Sequence, residues 1–277
     1  HGGTLDPSVT GVLPIAIGDA TRLIPYLKGS KVYKGIVQLG KSTTTDDSQG
    51  DVIKSKAWPE ISKDNLDKLL DAFRGEVSQK PPIFSSVHCN GERAYERARR
   101  GEKFDLTPKI ININELTLVD WSIQKGELEI NIQCSSGTYI RSLARDIGDK
   151  LGCGAYLKRL RRTKSGGFNE NDSISLPENL ESYLEINKPK LLNPKDFLNH
   201  LPTFKLGSEE ELISWRSGRK ININNNVKTL ELLETNQNCD NANKNILVID
   251  GNNLIAGIGE TNNNLLIKPK VVFNAIG

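Results

Sequence analysis

The residues whose types and spacing are best suited to chemistry are Asp6, Tyr139 and Arg141, followed by a run of cations near residue 160. Asp6 lies in His1-Gly2-Gly3-Thr4-Leu5-Asp6-Pro7. Glycines permit tight turns and the close approach of another backbone, and Pro7 biases Asp6 toward an extended conformation. A carboxylate on such a loop can face a cleft. It can also simply start the next turn, as Asp-Pro commonly does, and taken alone the residue favours that plainer reading. Gly137-Thr138-Tyr139-Ile140-Arg141 follows a strand-like stretch. A strand-to-helix turn presents backbone N–H groups and side chains to a ligand, so Tyr139 and Arg141 can reach one cleft there. Each has a plain alternative, a core tyrosine with a bonded hydroxyl and a surface ion pair.

Residues 156–164 hold five basic side chains and no acid, and residues 134–168 carry eight basic and two acidic residues. That is a local surplus of +6 in a chain whose net charge is +3. A second basic piece holds Arg93, Arg97, Arg99, Arg100 and Lys103. Concentrated Lys and Arg with Tyr95 and Tyr156 between them suit a phosphate backbone, through counterion release and bidentate contacts. The alternative is a solvated charged face. Neither G-x-x-x-x-G-K-[ST] nor G-x-G-x-x-G occurs, so a nucleotide cofactor has no support.

The chain has 277 residues, 36% hydrophobic and 26% charged, which excludes a disordered chain. No run approaches the ~18 apolar residues of a membrane span. Cys89, Cys134, Cys153 and Cys239 form no C-x-x-C pair, and the histidines are His1, His88 and His200. That is neither a zinc framework nor a disulfide scaffold, so reduced thiols in a cytoplasmic protein without a metal are expected. Met is 0 and His1 comes first, which reads as a longer chain cut before this point.

The elements that must position these residues are legible in part. Residues 19–27 are helix-like. VYKGIVQL (32–39) reads as a strand with Tyr33, Val37 and Leu39 on one face, and 42–51 as a polar loop. Ser62 is placed to cap a helix carrying Leu66, Leu69, Leu70 and Phe73, ended by Gly75. Residues 78–109 are irregular with a basic helical piece at 92–100. ELEINIQC (127–134) alternates with Leu128, Ile130, Ile132 and Cys134 inward, and a helix is predicted from Thr138 to Leu151. Composition shifts near Pro202, and 246–250, 254–259 and 265–273 read as β-hairpins, with Pro269 at a bulge or edge.

HGGTLDPSVTGVLPIAIGDATRLIPYL (1–27) resembles the first motif of bacterial TruB-type tRNA pseudouridine-55 synthases. KVYKGIVQLGKSTTTDDSQGDV (31–52) looks like the strand and loop that follow it. PPIFSSVHCNGERAYERARRGE (81–102) is similar to the family's RNA-gripping thumb, with His88 where members often carry Lys. CSSGTYIRSLARDIGDKLGCGAYLKRLRRTKSGGF (134–168) resembles the third motif, and 203–277 more weakly a PUA RNA-binding domain. The resemblance implies an α/β (α+β) pseudouridine synthase fold, with a mixed, largely antiparallel sheet, flanking helices and a small C-terminal β-rich PUA-like domain. The implied domains are 1–202, with its thumb at about 78–109 and its first strand missing, and 203–277.

The resemblance also implies roles. Asp6 falls on the catalytic aspartate, Arg141 on the arginine that pairs with it, and Tyr139 on the aromatic near the base. Tyr33 falls on the tyrosine that stacks on the target uracil, Leu160 on an apolar residue lining its pocket, and His1 on the histidine filling the place of the flipped nucleotide. Arg161 and Arg162 are expected on the RNA surface. The implied partner is the tRNA T-arm stem-loop, with a monomeric enzyme, no membrane, no metal and no cofactor. Pseudouridylation breaks an N-glycosidic bond, turns the uracil and rejoins it through carbon, and an ionised aspartate suits either attack or removal of a ribose proton. A pure tRNA-folding chaperone would have no need of Asp6 with Tyr33, Tyr139 and Arg141. A thumb-like segment suits a stand-alone enzyme over an RNA-guided subunit.

Overall fold

The computed structural model describes residues 1–175, 191–223, 244–261 and 266–276. Cys239 and most of the Asn-rich loops at 222–226 and 236–245 lie outside the described residues. The chain divides into two compact units, one of Gly3–Pro14 with Gly29–Ser173, the other of residues 1–2, 15–28 and those from 174 onward.

In the first unit the elements are β1 (Thr10–Gly11), β2 (Lys31–Leu39), β3 (Lys41–Thr43), β4 (Val52–Ser55), α1 (Lys63–Leu70), β5 (Gly75–Gln79), β6 (His88–Cys89), β7 (Glu92–Arg93), α2 (Ala94–Arg99), β8 (Lys109–Ser122), β9 (Glu127–Cys134), α3 (Ile140–Lys150), β10 (Ala155–Ser165) and β11 (Phe168–Asn169). Seven strands form one sheet in the order β1-β10-β2-β9-β8-β5, with β11 on β10. Only the β1–β10 pair is parallel, so the sheet is mixed and largely antiparallel as expected.

Alternation sets which face is buried. Tyr33, Val37 and Leu39 of β2 and Leu128, Ile130, Ile132 and Cys134 of β9 all point into one core. A period of two sends every second side chain to the same face. Two helices supply the opposing surface. Ser62 accepts from Asn65 N at 3.3 Å, satisfying an orphan donor of α1, and Leu66 and Leu70 are buried four apart. Ile140, Leu143, Ala144 and Ile147 line the buried stripe of α3. A Cβ at Gly148 would overlap the main-chain nitrogen of Ala155, so glycine there lets α3 lie directly on the start of β10. The helix begins at Ile140, two residues later than predicted, because Tyr139 is the extended N-cap. The basic piece at 92–100 is the strand β7 followed by a six-residue helix.

In the second unit Gly18–Tyr26 forms a 3-10 helix that contains Pro25. The later elements are β12 (Thr203–Lys205), α4 (Glu209–Arg216), β13 (Ile221–Asn222), β14 (Lys244–Ile249), β15 (Ile255–Thr261) and β16 (Leu266–Val272). They form a five-stranded sheet in the order β12-β14-β15-β16-β13. Trp215 is fully buried on it, and its Nε1 donates to the Ala256 carbonyl at 2.9 Å. Pro269 sits opposite Gly259 at a register shift, the bulge predicted for it. The division departs from a boundary at 202/203. Leu23 and Leu198 fill one core with Leu247, Ile249 and Ile258, so their apolar side chains draw these earlier segments into the β-rich unit. Among the described residues no helix is long and apolar enough to cross a membrane.

Candidate active site

The loop that carries Asp6 has almost no regular structure before β1. It is fastened at Thr10 and Gly11, which pair in parallel with Arg161 and Arg162 of β10. A Cβ at Gly11, whose φ is +110°, would overlap the Arg162 carbonyl oxygen, so only glycine allows this approach. Asp-Pro does start a turn, closed by Val9 N donating to the Asp6 carbonyl at 2.9 Å. The Asp6 carboxylate remains directed outward from that turn, with its Oδ2 2.8 Å from Nε of Arg141.

Arg141 sits in the first turn of α3 with its side chain only 7% exposed. Its Nη1 donates to the Thr45 carbonyl at 3.1 Å and its Nη2 to the Phe84 carbonyl at 3.0 Å. Asp47 Oδ2 lies 3.7 Å from Nε. That Nε is buried without a hydrogen bond of acceptable angle, although Asp6 is close. The Asp6 pair is therefore held by charge and proximity, while the two main-chain bonds fix the guanidinium. This leaves the carboxylate freer to move than the arginine.

One turn further along α3, Arg145 pairs with Asp46 and Asp146, each at 2.9 Å, and donates to the Lys80 carbonyl at 2.8 Å. Burial pushes the Asp46 and Asp146 carboxyls above their ordinary range, opposed in both by Arg145. Asp47 accepts from Thr45 Oγ1 at 2.6 Å and Gln49 N at 2.9 Å. The stretch read as a polar loop is thus pinned to α3 by two arginines four residues apart, through contacts of Asp46 and Asp47 that the polar pattern of the sequence does not reveal. Thr-Asp-Asp opposite an Arg-x-x-x-Arg helix face is the signal that was present.

A shallow cleft is lined by Asp6, Ser8, Val9, Asp47, Arg141, Leu157, Lys158, Arg159 and Leu160. It unites Asp6, Arg141 and Leu160, three of the expected residues, beneath exposed cations. Tyr33 is buried beside this group. Burial raises its hydroxyl pKa, Cys134 adds to that, Arg162 opposes it, and the Asp6 charge is felt there. Tyr139 is not among the cleft's lining residues. Its main chain is clasped by Gln79, which accepts from Tyr139 N at 2.8 Å and donates to Tyr139 O at 3.1 Å. His1 is exposed and belongs to the other unit.

Arg161 and Arg162 divide. Arg161 is half exposed and pairs with Glu170 at 2.9 Å. Arg162 corrects the expectation of a surface contact, because it is 0% exposed. It donates to the carbonyls of Val12 at 2.7 Å, Gly3 at 2.9 Å and Thr4 at 3.4 Å. Alternation turns it inward on the Leu160 face, where no phosphate can reach it. The thumb-like cations are also engaged. Arg97 and Arg100 pair with Glu102, Arg100 also with Glu92, and Arg93 donates to the Ser86 carbonyl. Among the described residues, no group of three or more His, Cys, Asp and Glu side chains converges as metal ligands would.

Comparison with known proteins gives a consistent picture. A model of the TruB family pseudouridylate synthase N-terminal domain matches residues 1–140, and one of the tRNA pseudouridylate synthase B C-terminal domain matches 141–195. The chain is 62% identical over 279 residues to the tRNA pseudouridine synthase B of Prochlorococcus marinus strain NATL1A, covering 100% of this chain and 89% of that protein. It is 47% identical over 279 residues to the protein of that name from Synechococcus sp. strain CC9311, covering 100% and 88%. Among solved structures, a chain of a Cbf5-Nop10-Gar1 complex superposes with a TM-score of 0.65 at 21% identity, covering 98% of this chain and 75% of that one. A chain of an H/ACA RNP bound to a substrate RNA containing 2'-deoxyuridine gives 0.65 at 19%, covering 99% and 75%. At such identities the likeness is one of fold.

Proposed function

The chain belongs to the TruB family of pseudouridylate synthases and is a pseudouridine synthase, and from that premise we propose that it isomerises uridine-55 in the T-arm loop of tRNA. Chemistry at a glycosidic bond is blocked inside a stacked loop, so the target nucleotide flips out, at an unstacking cost of a few kcal/mol. The apolar side of the cleft, Val9, Leu157 and Leu160, receives the uracil and excludes water. Asp6 then acts as the ionised carboxylate, by attack or by removing a ribose proton. The bond between ribose C1′ and uracil N1 breaks, the uracil turns, and a bond forms between C1′ and C5; the C5 proton leaves and N1 ends protonated, so the change is an isomerisation. Arg141 holds Asp6 until the base arrives. The observation that carries this reading is the Asp6 carboxylate 2.8 Å from a buried arginine in a cleft that is polar on one side and apolar on the other.

The other expected roles fit the same scheme. Tyr33, whose ring is buried in the core near Asp6, takes the stacking role only if the arriving uracil uncovers it, and Tyr139 borders the helix that carries Arg141. Lys158, Arg159 and Arg161 face the backbone of the stem-loop. The 78–109 segment closes over the RNA as a thumb, where phosphates displace the exposed Arg–Glu pairs, since such pairs are worth little. His1 fills the place of the flipped base, the β-rich unit acts as a PUA-like RNA contact, and the enzyme works as a cytoplasmic monomer without cofactor.

The test is tritium release from a T-arm stem-loop carrying one 5-tritiated uridine, placed in turn at position 55 and at a neighbouring uridine. It is run with the chain from His1 and with an N-terminally extended form. Release from position 55 alone is expected. Release from the neighbour only overturns the site, and binding without any release from either form overturns the reading as an enzyme of this substrate.

A further inference from the structure

We infer that Arg162 is a positioning residue for the proposed reaction, strapping the loop that carries Asp6 to β10 and so fixing where the carboxylate stands. The inference rests on Asp6 being the reacting group. It begins from a buried cation that the mechanism leaves without a role. The Arg162 guanidinium is 0% exposed, and the neutral carbonyls of Gly3, Thr4 and Val12 are its acceptors. Its own carbonyl accepts from Val12 N at 2.8 Å. Arg162 therefore grips the loop before Asp6, at residues 3 and 4, and after it, at residue 12.

The need for such a grip follows from the loop's lack of structure. Gly3 and Thr4 belong to no strand, so no ladder fixes the loop there. Carbonyls left unpaired inside the protein are costly. A guanidinium offers five donors in a rigid plane, which one side chain needs to meet three carbonyls at once. A lysine has a single head and cannot span them. Tyr33 is the cross-strand partner of Arg162 on β2, and the Arg162 charge acts on its hydroxyl. One residue thus ties the Asp6 loop, the uracil-side tyrosine and β10 into one geometry. Lys31 packs close behind, with its pKa lowered first by burial and then by the Arg162 charge.

The discriminating experiment separates rate from affinity. Single-turnover tritium release and stem-loop Kd against salt are measured for the chain, Arg162→Lys, Arg162→Ala, Gly11→Ala and Arg161→Ala. Gly11→Ala disturbs the strap from the loop side while leaving Arg162 in place. Misplacing a reacting group by about 1 Å costs roughly 100-fold, so Arg162→Lys and Gly11→Ala are expected to lose about that much rate. Their Kd and its salt slope should match the parent, whereas Arg161→Ala should weaken binding and reduce the slope by about 1. Should Arg162→Ala fail to fold by circular dichroism, the other two variants decide. Parental rates in folded Arg162→Lys and Gly11→Ala overturn the inference. So does a Kd and slope change like that of Arg161→Ala, which would make Arg162 a phosphate contact. If all three strap variants are unfolded, Arg162 is a folding residue and the inference is wrong. If neither the chain from His1 nor its N-terminally extended form releases tritium, the proposed function itself falls, and the inference with it.

Discussion

Arg141→Lys keeps the charge of the site's central cation and removes its fork, which isolates what geometry contributes. The guanidinium reaches Asp6, the Thr45 carbonyl and the Phe84 carbonyl, binding three separate stretches of chain to α3. An ammonium can serve one of these. The variant therefore loses one or both charge-assisted main-chain bonds, at about 1.5–3 kcal/mol each, and a total of about 2–4 kcal/mol is expected. The Asp6 pair adds little, because the Asp6 side chain is 41% exposed and screened. The assay is urea unfolding followed by fluorescence in a Trp215→Phe background. The signal then comes from Trp58 and Trp121, which donate to the Ile123 and Ile61 carbonyls within the catalytic unit. The midpoint should fall with the slope unchanged. Tritium release should drop about 100-fold, as for a reacting group left loosely placed. A stability change below about 0.5 kcal/mol with a parental rate would refute the reasoning, since surface-like residues behave that way.

Other parts of the structure yield further expectations. Arg161→Ala should leave stability unchanged, because its Glu170 pair is half exposed, and should weaken stem-loop binding at every salt concentration; unchanged affinity removes it from the RNA surface. The Cys134 thiol is buried, and burial pushes its pKa up to about 11. It should therefore stay unalkylated at pH 8 in the folded chain while Cys89 reacts, as read by peptide mass spectrometry. The neutral thiol's contribution to stability is complete below pH 9.0 and is lost as pH rises through about 11. Gly148→Ala would gain about 1 kcal/mol of helix propensity, but overlap with Ala155 should cost more, typically 1–3 kcal/mol, giving a lowered urea midpoint; a raised one would show that α3 can shift.

What could be read in advance depended on whether the determinants were local. β2 and β9 alternate cleanly because one face meets α1 and α3, and the Ser62 cap and the stripe of α3 are equally local signals. Pairing of Asp6 with Arg141 was expected from family resemblance, since no spacing rule joins residues so far apart. Asp46 and Asp47 escaped notice because a polar loop shows its partners only once folded. Arg162 was misplaced for a different reason. In β10, Leu157, Leu160 and Arg162 share the buried side, but register shifts at 157–159 and 162–164 break the period of two. A bulge moves later side chains to the opposite face, so a buried arginine was hidden in what looked like a basic run. The segments at 15–28 and 191–202 join the β-rich unit through Leu23 and Leu198, contacts that composition does not report.

The central claim is that the Asp6 carboxylate does the chemistry. Asp6→Asn preserves its shape while removing the charge, so the direct measurement is single-turnover tritium release from the position-55 stem-loop under saturating enzyme. Release no faster than from the RNA alone is expected, with stem-loop affinity retained. Release at the parental rate from the folded variant would contradict it.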